Sequence, residues 1–445
     1  MGDLMAARTQ MATSLGFHII FAAIGMGLPL LMVIAEGIHL RTGNPVYLAL
    51  AKRWSKAFAI LFAVGAVSGT VISFELGLLW PRFMEYAGGI IGMPFSLEGF
   101  AFFVEAIFLG IYLYGWNRLS PRAHWLSGIP VAIAGACSGI FVVAANAWMN
   151  SPAGFDVVNG EVQNVDPVAA MFNSAWPQQA LHMWIAAYTA TTFGIAGLYA
   201  WGMLRGRRDA YHLSAIKIAL SVGMVVSILQ AVSGDISAKW VAENQPAKFA
   251  AMEGLFETTD NAGLAIGGWP DPETGELKYA VHIPRALSFL AHGNFTEEVT
   301  GLNDIPVDER PEPRVVHPAF QLMVGIGVTL IVVSTWFWLV AWRKRAIVPN
   351  RWQLIALVAL TPAGFIAIEA GWVVTEVGRQ PWIIQDIMRT EDAVTEVPGQ
   401  FAAFGGFTLL FMILAVATIW LLRLVASEPP MLDVPSERRH TDVHS

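Results

Sequence analysis

Apolar residues fall in nine runs, each long enough to cross roughly 30 Å of hydrocarbon as a helix. The runs lie at about 15–36, 57–79, 95–116, 125–148, 180–203, 215–235, 318–342, 353–376 and 400–423. They are continuous rather than alternating, which predicts helices and not barrel strands. The pattern predicts an all-α integral membrane protein with nine transmembrane helices. The first run is not followed by an A-x-A-like cleavage site, so it is read as a mature span and not a signal peptide. Two stretches break the rhythm. From 236 to 317 there are seven prolines and 13 Asp or Glu against six Lys or Arg. A connection of that length and polarity is expected to be a binding loop or lid, with a solvated insertion as the plainer alternative. After Ser427 a mixed-charge run reads as a disordered tail. The expected division is 1–235 for helices 1–6, 236–317 for an outer loop, 318–424 for helices 7–9 and 425–445 for the tail.

Positive charge sets the orientation. With the N-terminus outside, 17 of the 27 Lys and Arg fall in inner segments, and six of the other ten lie in the long connection, which the positive-inside rule discounts. The N-terminus is therefore expected outside and the C-terminus in the cytoplasm. Composition agrees with lipid as the main solvent. Of 445 residues 55% are hydrophobic and only 14% charged, and mean hydropathy is +0.53, too apolar for a soluble or a disordered chain. Net charge is −7 without a dense basic stripe, so no nucleic-acid partner is expected. A single cysteine, Cys137, rules out an intrachain disulfide framework and a Cys-rich metal site. No internal repeat is visible, which weakens a transporter built from duplicated halves.

Ionisable groups inside a span are costly and so are candidates for function. The nine runs contain His18 and His182 and the carboxylates Glu75, Glu98, Glu105, Glu369 and, near an outer end, Glu376. By the expected topology His18, Glu98, His182, Met323 and Glu369 all fall in the outer half of the membrane. Imidazole, thioether and carboxylate at similar depth are the ligand types of haem iron, and five of them suggest more than one haem. Each has a blander reading: interhelical hydrogen bonding for the histidines, packing for Met323. Glu98 and Glu105, seven apart, share a helix face, which suits a proton relay and equally suits paired interhelical hydrogen bonds. Two histidines are too few for a haem–copper oxidase core or for a four-helix cytochrome b. Carboxylates alone would also suit a non-haem proton or ion carrier, which would leave His182, Met323 and the long loop without a role. A haem protein that only relays electrons is a third reading.

Three sequence blocks carry a resemblance: Leu97-Glu98-Gly99-Phe100; Ala145-Asn146-Ala147-Trp148-Met149; and Glu369-Ala370-Gly371-Trp372 followed by Gly378-Arg379-Gln380-Pro381-Trp382. With them the chain resembles subunit I of the cytochrome bd quinol oxidases from its N-terminus to the ninth span, and most closely the cyanide-insensitive branch with a short quinol loop. The resemblance implies a bacterial inner-membrane enzyme that oxidises quinol at the outer surface and reduces O₂ to water. Protons would come from the cytoplasm, generating a membrane potential without copper. It implies His182 and Met323 as axial ligands of a low-spin haem b. His18, Glu98 and Glu369 would be ligands or close neighbours of a high-spin haem b and of a haem d or further haem b at the oxygen site. Trp372 and Arg379 would lie against a cofactor. Lys248 and Glu253 would serve quinol oxidation, and Glu105, Ser138 and Asn146 proton delivery. A second membrane subunit, a very small third one, and lipid are the implied partners. One departure is visible: where the family often has Arg two residues before the Met ligand, this chain has Gln321.

Overall fold

The computed structural model describes residues 3–159, 161–394 and 400–429. The expected disordered tail lies, from 430 onward, outside those residues. Helix starts follow familiar chemistry, in which a polar cap and a proline at the first turn satisfy or remove the unpaired N–H groups. α1 spans Asp3–Thr42. Asn44 caps α2 (Pro45–Leu79) by accepting from the Val46 amide. Only Trp80 separates α2 from α3 (Pro81–Gly115), and Ser120 caps α4 (Pro121–Asn150). A hairpin of β1 (Asp156–Val158) and β2 (Glu161–Gln163) and the one-turn α5 (Pro167–Met171) lead to α6 (Trp176–Leu204). Asp209 caps α7 (Ala210–Asn244).

The long connection holds α8 (Pro246–Glu253) and α9 (Ala286–His292). It also holds two small antiparallel pairs, β3 (Leu264–Ile266) with β6 (Val281–Ile283) and β4 (Trp269–Asp271) with β5 (Glu276–Lys278). α10 (Pro313–Lys344) follows, then α11 (Arg351–Ala359) behind an Asn350/Gln353 capping box, and α12 (Ala363–Val377). A β7 (Trp382–Ile384) and β8 (Met388–Arg389) pair, α13 (Thr390–Ala393) and α14 (Gln400–Ser427) complete the described chain.

Among the described residues eight helices are long and apolar enough to cross a membrane. The segment expected as a fifth span, α6, is a 29-residue helix but is not one of the eight. It packs against α1, α4, α7, α11 and α12, and buries Thr189, Thr191, Thr192, Gly194 and Gly197 against them. Small and hydroxyl-bearing residues suit close helix contact but lower its apolarity.

Three further expectations change. The third and sixth runs belong to longer helices, α3 beginning at Pro81 and α7 running on to Asn244. The eighth run, expected as one helix, is broken into α11 and α12 at Leu360–Pro362, since Pro362 lacks the N–H that a continuous helix would use. Opposite the break α6 approaches closely: a Cβ on Gly197 would lie 2.0 Å from the Thr361 hydroxyl, and one on Gly364 would lie 2.4 Å from Ala190 Cα.

Candidate functional site

Two histidines are held by the same device. His18 Nδ1 lies 2.9 Å from Ser68 Oγ, and that hydroxyl donates its own proton to the Val64 carbonyl at 2.9 Å. His182 Nδ1 lies 3.0 Å from Ser233 Oγ, which donates to the Gln230 carbonyl at 3.0 Å. With its proton spent, each serine can only accept, so each imidazole carries hydrogen on Nδ1 and presents a lone pair on Nε2. That is the tautomer that ligates through Nε2. The Gln230 side-chain nitrogen lies 3.0 Å from His182 Nε2 and 3.2 Å from Nδ1.

Glycine lies opposite four of the five candidate ligands on a facing helix. A Cβ on Gly69 would sit 3.1 Å from the His18 ring, and one on Gly234 would sit 3.5 Å from the His182 ring. One on Gly371 would sit 3.1 Å from Met323 Sδ, and one on Gly16 would sit 3.4 Å from Glu369 Oε2. Met323 on α10 is thus brought to α12, and Glu369 on α12 to Gly16 on α1. Glu369 Oε1 is buried without a hydrogen-bond partner. Trp372 packs, partly buried, against the cluster of Ile19, Ala187 and Ile368. Among the described residues no three His, Cys, Asp or Glu gather as ligands for a bare metal ion.

The α3 carboxylates face α4. Glu98 accepts from Ser138 Oγ at 3.1 Å. Glu105 is buried, its Oε1 without a partner and 2.9 Å from where a Gly135 Cβ would stand. Asn146, eight residues beyond Ser138 on α4, is not with them. It belongs to a network at the C-terminal end of α4 in which Arg379 Nη1 donates to Asn146 Oδ1 at 3.0 Å and Arg379 Nη2 to Glu376 at 2.6 Å. Asn150 donates back to the Asn146 carbonyl at 2.9 Å, and Lys248 Nζ donates to Asn150 Oδ1 at 2.5 Å. Arg379 Nε, also buried, has no partner.

Lys248 and Glu253 sit on opposite ends of α8, both buried, and do not bond to each other. Burial and the nearby Arg379 charge lower the Lys248 pKa to about 7. Burial alone raises Glu253 to about 8, and its Oε2 has no partner. α8 ends there because Gly254 takes a left-handed conformation at φ 65°.

The sequence drew no attention to Asn150 or His317. His317 Nδ1 lies 2.8 Å from the Met252 carbonyl and Nε2 3.1 Å from the Gly267 carbonyl, pinning the α8 end to α10. The unusual Gln321 also has a geometric reason. Its Oε1 accepts from the Gly267 amide at 3.0 Å while its Nε2 donates to the Ala265 carbonyl at 3.1 Å. Arginine has no acceptor and could not replace both bonds. Gln321→Ala is expected to quicken amide exchange around Gly267 about tenfold, with about 1 kcal/mol lost per hydrogen bond. Hydrogen-exchange mass spectrometry with no change there would remove the clamp.

Comparison with known proteins follows the same lines. The chain matches the family described as cytochrome bd terminal oxidase subunit I over residues 6–430. It is 41% identical over 429 residues to a Bacillus subtilis protein named "Putative cytochrome bd menaquinol oxidase subunit I", covering 95% of this chain and 96% of that one. To the Bacillus subtilis cytochrome bd ubiquinol oxidase subunit 1 it is 31% identical over 434 residues, covering 95% and 91%. The solved bd oxidase of Geobacillus thermodenitrificans superposes with a TM-score of 0.90 at 43% identity, over 95% of this chain and 98% of that one. On these grounds the chain belongs to the cytochrome bd terminal oxidase subunit I family.

Proposed function

We propose that this chain is the haem-bearing subunit of a quinol oxidase of the bacterial inner membrane. It spans the bilayer nine times with its N-terminus outside and α6 as a central span. The observation that carries the reading is the paired serine–histidine arrangement, with Nε2 presented and a glycine left bare on the facing helix. A flat macrocycle needs such a cradle. His182 and Met323 would hold a low-spin haem b, once the Gln230 amide leaves the His182 lone pair. His18, Glu98 and Glu369 would serve a high-spin haem b and a haem d or second high-spin haem b. Arg379, with its free Nε, would take an acidic side group of a macrocycle. Bound haem supplies one-electron acceptors for quinol and the iron at which O₂ is reduced to water.

The protein's own residues manage protons and position. At the outer surface the loop presents Glu253 as the acceptor of a quinol hydroxyl proton, with Lys248 orienting the ring oxygens. From the cytoplasmic side protons reach the oxygen site through Glu105 and the Glu98–Ser138 pair. Charge uptake on one side and release on the other builds a membrane potential. A second membrane subunit, and a very small third one, would cover part of the exposed apolar helix surface, where Phe74, Phe100 and Phe103 project; lipid covers the rest.

A reduced-minus-oxidised absorption spectrum of the purified complex, with extracted-haem analysis and CO addition, tests this reading. Several haems, one of them CO-reactive, are expected. A colourless, folded complex would overturn it in favour of a carboxylate carrier. The pH dependence has a definite sign. Glu253 becomes a proton acceptor only as pH rises through about 8, and Lys248 loses its charge through about 7. The rate of haem reduction by quinol should therefore climb between about pH 6 and about pH 9, and Glu253→Gln should flatten the upper part of that rise. A rate that falls over the same range would exclude Glu253 as the acceptor.

A further inference from the structure

A second buried ionisable cluster lies toward the C-terminal end of α3, the helix that carries Glu98 and Glu105. Glu36 on α1, Tyr112 on α3 and His124 on α4 are each no more than 3% exposed. His124 Nδ1 lies 2.7 Å from Glu36 Oε1, and its Nε2 lies 2.8 Å from the Tyr112 carbonyl. The Tyr112 hydroxyl donates to Glu36 Oε2 at 2.7 Å.

The proton inventory follows from these contacts. A carbonyl only accepts, so Nε2 carries a hydrogen. Nδ1 and Oε1 then share one further proton, drawn on the imidazole or on the carboxyl. Without it two lone pairs would face each other at 2.7 Å beside an unbalanced buried charge. The cluster therefore stores one proton between Glu36 and His124.

We infer that this cluster is the proton-loading site for Glu105, an inference that rests on the proton route proposed above. Position supports it. Tyr112 follows Glu105 by seven residues, two turns along the same face of α3, or about 10 Å. A Gly135 Cβ would stand 2.9 Å from Glu105 Oε1 and 3.1 Å from the Gly25 carbonyl, so Glu105 lies where α1, α3 and α4 meet. Glu36 lies three turns beyond Gly25 on α1, and His124 three turns before Gly135 on α4, so the cluster occupies the same three-helix seam. At its far end the seam reaches water: Arg118 and Arg122, in and just after the α3–α4 turn, are exposed. Trp116 lies against His124 with ring centroids 3.9 Å apart and the planes tilted by 33°, and from α2 the Lys52 ammonium lies 5.6 Å from the Trp116 ring. His39 and Arg41 end α1 nearby. Each proton that leaves for Glu105 is replaced by one from the inner water, one for each electron delivered to oxygen, and only N–H and O–H bonds change.

Glu36→Gln tests the assignment, because the amide can keep the Tyr112 and His124 contacts but cannot carry the proton. In the intact complex, O₂ consumption per haem should fall about tenfold or more, while anaerobic haem reduction by quinol, which needs no inner proton, stays at the wild-type rate. A cluster that only braces the helices would instead lower haem content and melting temperature with turnover per haem unchanged, and that result overturns the inference. Normal turnover in Glu36→Gln with slow turnover in Glu105→Gln removes the loading site alone. Normal turnover in both removes the Glu105 route as well. If Glu36→Gln does not assemble, Tyr112→Phe decides. The variant removes a donor to the Glu36 carboxylate and should lower O₂ consumption per haem while anaerobic haem reduction by quinol stays at the wild-type rate. Unchanged O₂ consumption per haem overturns the inference.

Discussion

Met323→Leu is expected to leave the complex assembled and to remove the low-spin haem signal from its reduced-minus-oxidised spectrum. Leucine nearly conserves volume, and such exchanges cost less than about 1.5 kcal/mol, so the fold survives. What disappears is the sulfur that stands opposite Gly371. With only His182 left to hold a haem there, the proposed entry point for electrons would change spin state and potential. Quinol oxidase turnover should then drop about a hundredfold or more. The serine device gives a graded companion: Ser233→Ala frees the His182 ring to change tautomer and should weaken haem retention about tenfold or more while leaving some low-spin signal. An unaltered low-spin spectrum in Met323→Leu would exclude this methionine as a ligand.

Glu105→Gln is expected to slow O₂ reduction by about a hundredfold while leaving haem content and quinol-driven haem reduction intact. The substitution is nearly isosteric, which matters because the carboxyl is wedged beside Gly135 and the α1 backbone. Its Oε1 has no hydrogen-bond partner to lose. The effect should therefore be chemical rather than structural, within the range of about 10²–10⁴ typical of a positioned proton carrier. Normal turnover together with normal charging of vesicles would exclude the role.

The largely helical, membrane-spanning class and the family were legible in the chain because long apolar runs and three dense sequence blocks each carry a strong signal. Helix ends were not. Pro81 reads as a break in a linear scan, yet at a first helical turn proline is at home, so α3 starts 14 residues before the apolar run does. α7 outlasts its apolar run because Lys239 pairs with Asp235 one turn back at 2.6 Å, and a charged turn remains a good helix outside lipid. The break at Pro362 was hidden inside an apolar run, since hydropathy does not register a missing N–H. At the site, residue types suggested the candidate ligands, whereas their hydrogen-bond partners came only with the fold. Ser68, Ser233 and Asn150 are ordinary residues until a contact in the fold gives them a histidine to orient or a lysine to hold. Asn146, grouped by resemblance with the proton path, lies in the Lys248–Arg379 network because its turn of α4 has already reached the loop.

The broken helix has a mechanical consequence. α12 is a rod of 15 residues, jointed at Pro362 and anchored at the other end by the ion pair of Glu376 with Arg379. Glu369 rides on it about ten Å below that anchor. A small tilt about the joint would carry Glu369 and the Arg379 anchor together while the α11 segment behind the proline stays still. Whatever happens at the loop that holds Lys248 is thus transmitted to the carboxylate that faces Gly16 as motion of one stiff lever.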